Sequence, residues 1–302
     1  MKKYTIGLAL GGGGARGLAH IGVLKIFEEA GIIPDMLSGT SMGALIGSMF
    51  ASGMKTNEIE KRCTDFLNSS IYKDLKFEHY SGEESENWLG KAIARLKQKA
   101  LYYLSDLKIA FIEKSSVESI VSYFIPDIEF GKLKIPFACV AVDIAKGEEV
   151  IFKTGSLRQA VVSSMSIPGI MQPVKMDDKV LVDGGVLQMV PVTALRALGC
   201  EFAIAVDVST KPDIMPYEKL TSAFEVSKRS SDIVYYKLDR EQLANADYVL
   251  SPAVKSIKWF EIKRLKECAL LGENETLKHI NNIRIKSKKK QRASFVRRLF
   301  AK

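Results

Sequence analysis

Apolar positions along this chain follow two rhythms. Unbroken apolar runs of strand length fall at residues 4–10, 135–142 and Phe202–Val206, the pattern of strands buried on both faces of a sheet. Between them apolar residues recur at three- and four-residue steps, as at Leu18, Ile21, Leu24, Ile26 and Phe27, where the pattern predicts a helix over 18–30 capped by Gly31. A short strand at 35–38 and an apolar, helix-compatible stretch at 44–50 follow, so the first fifty residues read as a parallel βαβ unit.

A helix is predicted at 57–66. Residues 71–125 carry no clear strand and several amphipathic segments, the best at 88–107 with Leu89, Ile93, Leu96 and Ala100 on one stripe, and form a helical insertion whose stripe packs as core. Lys146-Gly147 turns the strand at 135–142 into a partner at 149–152, and Asp177-Asp178 joins Val174–Met176 to 179–182, two hairpins. Helices at Leu157–Met165, closed by Ser166-Ile167-Pro168-Gly169, and at 191–198, with Pro191 in the first turn, precede the strand at Phe202–Val206. Two further helical stretches, 221–244 and 260–280, flank a short strand at Tyr248–Leu250. The fold class is α/β, a mostly parallel central sheet flanked by helices with a helical insertion.

Composition narrows the class. With 302 residues, 47% hydrophobic and 26% charged, the chain is long enough for one large α/β domain with an attached region. The cysteines Cys63, Cys139, Cys200 and Cys268 form no C-x-x-C pair and read as free thiols of a reducing cytosol, with no metal site. Lys2 and Lys3 before an apolar run resemble a signal peptide, but four glycines and Arg16 interrupt the run before a cleavage site. No stretch reaches the length of a membrane span, so a cytoplasmic protein, soluble or peripheral at the inner membrane surface, is expected. The net charge of +9 belongs to the end of the chain: from Arg284 onward there are nine Lys or Arg and no Asp or Glu.

Candidate chemistry begins with Gly39-Thr40-Ser41-Met42-Gly43, the G-x-S-x-G string of a nucleophile elbow, set between a strand and a helix as that turn requires. A nucleophilic serine also needs oxyanion donors and a base. Gly12, Gly13 and Gly14, ahead of a helix N-terminus, offer backbone N–H groups. The same loop also satisfies Gly12-x-Gly14-x-x-Gly17 with Asp35 eighteen residues on, so a nucleotide-binding or regulatory protein without hydrolysis is the competing reading. The short second strand, ending in a serine elbow where a ribose-binding carboxylate would stand, argues against it.

Of the three histidines, His20 lies inside the first helix and His79 in the polar part of the insertion, while His279 sits on a C-terminal helix without a turn to position it. A carboxylate is the better base. Asp143, Asp183 and Asp207 all follow apolar strands, but only Asp183 precedes Gly184-Gly185, which permits a tight turn; Asp143 and Asp207 read as strand-end caps.

The glycine loop, the serine elbow and Asp183-Gly184-Gly185, in that order, resemble the patatin-like phospholipase family, and the likeness spans most of residues 4–208. The resemblance implies the family's three-layer sandwich and hydrolysis of lipid acyl esters, such as those of (lyso)phospholipids, without a cofactor. Ser41 would be the nucleophile, Asp183 the base, and the amides of Gly12, Gly13 and Gly14 the oxyanion hole, supported by Gly39, Gly43, Gly184 and Gly185. Arg16 matches the family's basic residue in the loop, to hold its shape or favour anionic lipid. Gln188-Met189 stands where many members carry Asn-Pro, which puts the support of Asp183 in question. On this reading 1–255 is the catalytic domain and 256–302 a set of C-terminal helices with a basic tail.

That tail pairs Lys288-Lys289-Lys290 with Phe295-Val296 and Leu299-Phe300, an amphipathic pattern suited to an anionic membrane surface. No aromatic-basic platform accompanies it, so nucleic acid is not an expected partner.

Overall fold

The computed structural model describes residues 5–74 and 110–300. Among them eight strands form one sheet: β1 (Ile6–Leu10), β2 (Met36–Gly39), β3 (Phe137–Asp143), β4 (Glu148–Phe152), β5 (Val174–Met176), β6 (Lys179–Asp183), β7 (Phe202–Val206) and β8 (Tyr248–Leu250). Their order is β5-β6-β3-β2-β1-β7-β8, and β4 pairs with β3. β3, β2, β1, β7 and β8 run parallel, whereas β4, β5 and β6 are antiparallel additions at one side.

The helices are α1 (Ala19–Glu29), α2 (Met42–Ala51), α3 (Thr56–Phe66), α4 (Ser70–Asp74), α5 (Lys114–Phe124), α6 (Leu157–Met165), α7 (Val192–Ala197), α8 (Ala223–Leu243) and α9 (Leu265–Phe300). They cover both faces of the sheet. Leu8 and Leu10 of β1 enter a large core shared with α1, α2, α3, α5, α6 and α9, while Ala9 faces a smaller one with Val192 and Leu195 of α7 and Leu243 of α8. This alternation is why the central strands read as unbroken apolar runs. The amphipathic stripe expected at 88–107, and His79, lie outside the described residues.

Two points depart from the sequence reading. The helix expected at 260–280 and the basic tail are one helix, α9. Nor is that helix an appendage: it crosses α1 at glycines, where a Cβ on Gly22 would lie 1.9 Å from the Ala269 carbonyl oxygen and one on Gly272 2.0 Å from that of Ala19. No side chain fits there, so residues 265–283 complete the core of the sheet domain.

The far end of α9 docks at the amino ends of the parallel strands. Lys290 pairs with Asp247, just before β8, and Ser294 Oγ donates to Glu201, just before β7, at 3.4 Å. Lys286 lies 4.9 Å from the Tyr248 ring centroid and Arg284 donates to the Ala30 carbonyl. Three of the tail's basic residues are therefore engaged within the protein.

Candidate active site

β3 acts as a template for the site. Its residue Cys139 pairs with Gly39 of β2 on one edge and Phe152 of β4 on the other; Ala141 pairs with Val150 of β4 and with Asp183 of β6. β2 and β6 therefore share one edge of β3 and approach each other head-on, with Gly39 and Asp183 two β3 positions apart. The carboxyl ends of these two strands carry the elbow and the aspartate.

After Gly39 the chain reverses into α2 through Ser41, held at φ 54°, ψ −121°, one of two non-glycine residues with positive φ among those described. This conformation is strained for an L-residue and pushes the side chain out of the turn. The flanking glycines follow from crowding: a Cβ on Gly39 would lie 2.5 Å from the Gly43 carbonyl oxygen, and one on Gly43 2.1 Å from that of Leu10. The turn is fastened by Thr40 N–H to the Leu10 carbonyl (3.1 Å), Thr40 Oγ1 to the Gln188 carbonyl (2.8 Å) and Ser41 N–H to Ser164 Oγ on α6 (2.9 Å).

The Asp183 carboxylate accepts the Gly185 N–H through Oδ1 at 2.7 Å, and the Ser41 hydroxyl neighbours it closely enough to lower its pKa. Burial pushes the Asp183 carboxyl up to about 6, against which the Ser41 and Gly185 hydrogen bonds pull it down. Asp183 N–H donates to the Ser166 carbonyl at 2.8 Å, which gives the Ser166-Ile167-Pro168-Gly169 turn a role in placing this carboxylate. Gly184 lies against β3, where a Cβ would sit 2.4 Å from the Val140 carbonyl oxygen.

The glycine loop differs from expectation in one donor. Gly12 N–H is committed to the Met189 carbonyl at 2.8 Å, and the carbonyl of the same peptide, on Gly11, meets His20 Nε2 at 2.7 Å. That peptide is clamped at both ends, so Gly12 does not supply an oxyanion amide here. The amides of Gly13 and Gly14 have no acceptor among the described residues. Arg16 turns onto the loop itself, with Nε to the Gly13 carbonyl (3.3 Å) and Nη1 to Thr210 Oγ1 (2.8 Å), so it holds the loop shape.

Gln188 and Met189 tie the parts together through their carbonyls, a role any residue's backbone can fill. The Gln188 side chain donates to Glu149, and Ser38 Oγ donates to the Pro191 carbonyl at 2.7 Å. Ser164 and this strip of carbonyls were not legible in the sequence, because neither a helical serine nor a backbone oxygen leaves a motif.

The other candidate carboxylates and the two described histidines stand apart. Asp143 Oδ1 caps the Ala145 and Val180 N–H groups at 3.1 Å each, and Asp207 caps Ser209 N–H at 2.8 Å while pairing with Arg240. His20 is fully buried, and desolvation holds its imidazole down at about 4, in the neutral form that donates to Gly11. His279 Nδ1 meets Tyr248 Oη at 2.8 Å. Asp35 precedes β2, where its carboxylate accepts Ile6 N–H at 3.0 Å. It thus lies at the opposite end of the strand from the glycine loop, where it cannot bind a ribose held there, and the dinucleotide reading falls.

Ser41 lines an apolar cleft. Met42 and Leu45 form its floor, Phe66, Ile120 and Phe124 one wall, and Trp259 and Phe260 another. Trp259 is fixed by its carbonyl, which accepts Ala15 N–H at 2.7 Å. All four cysteines are free and buried, and no cluster of metal-ligating side chains occurs among the described residues. Nor is any described helix long and apolar enough to cross a membrane.

Comparison with known proteins places this arrangement. The family model for the patatin-like phospholipase matches residues 8–196. Patatin-like phospholipase domain-containing protein ZK370.4 of Caenorhabditis elegans is 33% identical over 221 residues, 71% of this chain and 14% of that protein. Lysophospholipase NTE1 of Saccharomyces cerevisiae is 30% identical over 226 residues, 72% of this chain and 12% of that protein. This chain thus spans about one seventh of the length of these relatives. Among solved structures, VipD from Legionella pneumophila aligns with a TM-score of 0.47 and 16% identity over 93% of this chain and 67% of that one.

Proposed function

The chain belongs to the patatin-like phospholipase family, and we propose that it is a serine acyl hydrolase acting on carboxylic esters of (lyso)phospholipids or related lipids through Ser41 and Asp183. The observation that carries this reading is that Ser41, in a strained turn, both lines an apolar cleft and neighbours the buried Asp183 carboxylate.

With the acyl chain in the cleft, Ser41 Oγ attacks the ester carbonyl while its proton passes to Asp183. The oxyanion that forms is met by the N–H groups of Gly13 and Gly14, which need no reorganisation because the clamped Gly11–Gly12 peptide and Arg16 hold the loop. Collapse expels the alcohol, which takes the proton from Asp183 and leaves Ser41 acylated. Water then attacks the acyl-enzyme, giving its proton to Asp183, and the fatty acid leaves as the serine recovers its own. A carboxyl near 6 is mostly ionised at neutral pH yet about a hundredfold more basic than an ordinary aspartate, which suits this shuttle.

The exposed Lys288, Lys289 and Arg292 of α9, beside Phe295 and Val296, support a weak attraction to anionic surfaces. They stand at the end of the sheet away from Ser41.

The test is labelling by a fluorophosphonate probe and release of fatty acid from lysophosphatidylcholine, with Ser41→Ala as blank. Labelling and release that both require Ser41 are expected; a wild-type protein that shows neither refutes the reading.

A further inference from the structure

The lipid substrate of this site resides in a surface, and the basic tail is at the wrong end of the sheet to present the cleft to it. Another region is at the right end. The segment after β7 starts beside the glycine loop, where Thr210 accepts from Arg16. It then carries Ile214, 99% exposed, and Met215, 40% exposed, out into solvent between Pro212 and Pro216, with Tyr217, 83% exposed, directly after. Three large apolar side chains within four residues contribute nothing to the core here.

The segment is held in place. Asp213 Oδ1 pairs with Lys255 Nζ at 2.5 Å, and the Asp213 carbonyl accepts from Arg229 of α8 at 2.6 Å. Lys255 leads directly to Trp259 and Phe260, which wall the cleft. The segment is thus tied at Thr210 to the glycine loop and at Asp213 to the chain that runs on to Trp259 and Phe260, at the same end of the sheet as Ser41. Residues 211–219 and 255–260 carry Lys211, Lys219, Lys255 and Lys258 against Asp213 and Glu218, while α8 extends the surface with Val226, 48% exposed, and Ile233, 51% exposed, among the balanced charges Glu225, Lys228, Arg229 and Asp232. Apolar side chains at a loop tip with long cationic ones around them suit the boundary of headgroups and acyl chains, where the tip inserts and the lysines meet lipid phosphates.

Resting on the hydrolase reading above, we propose that the surface made by residues 211–219 and 255–260 seats this protein on an anionic lipid bilayer with the mouth of the Ser41 cleft facing the membrane. The excess of cations selects a bilayer bearing net negative charge, and the protruding rather than grooved shape selects a deformable surface over a folded partner.

The experiment is co-sedimentation with vesicles of phosphatidylcholine alone and of phosphatidylcholine mixed equally with phosphatidylglycerol. It compares wild type, Ile214→Asp/Tyr217→Asp, and the tail variant Lys288→Glu/Lys289→Glu/Arg292→Glu, each checked by circular dichroism. Wild type is expected to prefer the mixed vesicles, the loop variant to lose about tenfold in partitioning, and the tail variant to lose far less. A second reading uses Ile214→Trp, a change at a fully exposed position: its added fluorescence should shift to the blue on mixed vesicles and be quenched by brominated lipid. Wild type that ignores anionic vesicles, a loop variant that binds as wild type does, or a Trp at position 214 that stays unquenched on sedimented protein overturns the proposal. So does a wild type that dimerises through this loop without binding vesicles. Ser41-dependent turnover of a soluble short-chain ester by wild type is measured alongside, so that failure of the hydrolase reading is seen separately from failure of the surface.

Discussion

Replacing Asp183 by asparagine is expected to abolish turnover and to stabilise the fold in the same step. Asp183 is 7% exposed and its carboxyl sits at about 6, raised from an ordinary 3.8 by burial. The unfolded chain keeps the ordinary value, so the native state holds the proton more tightly than the unfolded state does. Below 3.8 both states are protonated and the group costs nothing; as pH rises through 6 the native state must ionise a buried carboxyl, and stability is lost. Two pKa units at about 1.4 kcal/mol each set the full cost near 3 kcal/mol, reached above pH 7.

Asparagine keeps the shape and an oxygen for Gly185 N–H and carries no charge. Asp183→Asn should therefore exceed wild type by up to about 3 kcal/mol at pH 8 and by little at pH 4, where most substitutions at buried sites would destabilise at both. Urea denaturation of both proteins at the two pH values measures this. A variant less stable than wild type at pH 8, or a gain that does not shrink on acidification, refutes the claim that burial of charge sets this pKa. Wild-type turnover in the variant refutes its role as base. The same ionisation should govern kinetics: kcat/KM on a soluble ester rises about tenfold per pH unit below 6 and levels off above 7, and a flat profile down to pH 5 contradicts the raised value.

The remaining expectations concern the parts around the dyad. Ser41→Gly should remove activity and gain about 1 kcal/mol in urea denaturation, because φ 54° then costs nothing; a loss of stability would show that the elbow is unstrained. His20→Leu leaves the Gly11 carbonyl without its buried donor and should cost about 1–3 kcal/mol, with kcat falling more than KM changes as the oxyanion loop loosens. Ile120→Trp adds bulk to the cleft wall and should shift preference toward shorter acyl chains by about tenfold in the ratio of kcat/KM values; an unchanged ratio would mean the chain lies elsewhere.

What the sequence disclosed and what it hid divide on physical lines. The glycine loop, the elbow and Asp-Gly-Gly were legible because each marks a place where the backbone passes too close to another for a Cβ, so only one residue type fits, as at Gly43 and Gly184. The strands were legible because burial on both faces demands unbroken apolar runs. Met189 and Trp259 were hidden because they act through carbonyls, which every residue owns. The same bond explains the error at Gly12: the motif shows that the chain must bend there but not which amide is already taken. The continuity of α9 was hidden because its apolar stripe fades after Ile283, where the helix is held by Lys290 to Asp247 and Ser294 to Glu201 instead of by apolar packing.

The register of β3 also bears on a feature that composition could only suggest, that neither described histidine stands beside Asp183. In triads an imidazole bridges a serine and a carboxylate that stand apart. Here β2 and β6 meet head-on along one edge, and the two residues after Gly39 bring Ser41 within hydrogen-bond reach of Asp183. With no imidazole beside Asp183 among the described residues, the proposed role as base would draw on the carboxylate's surroundings, and burial is what raises its pKa.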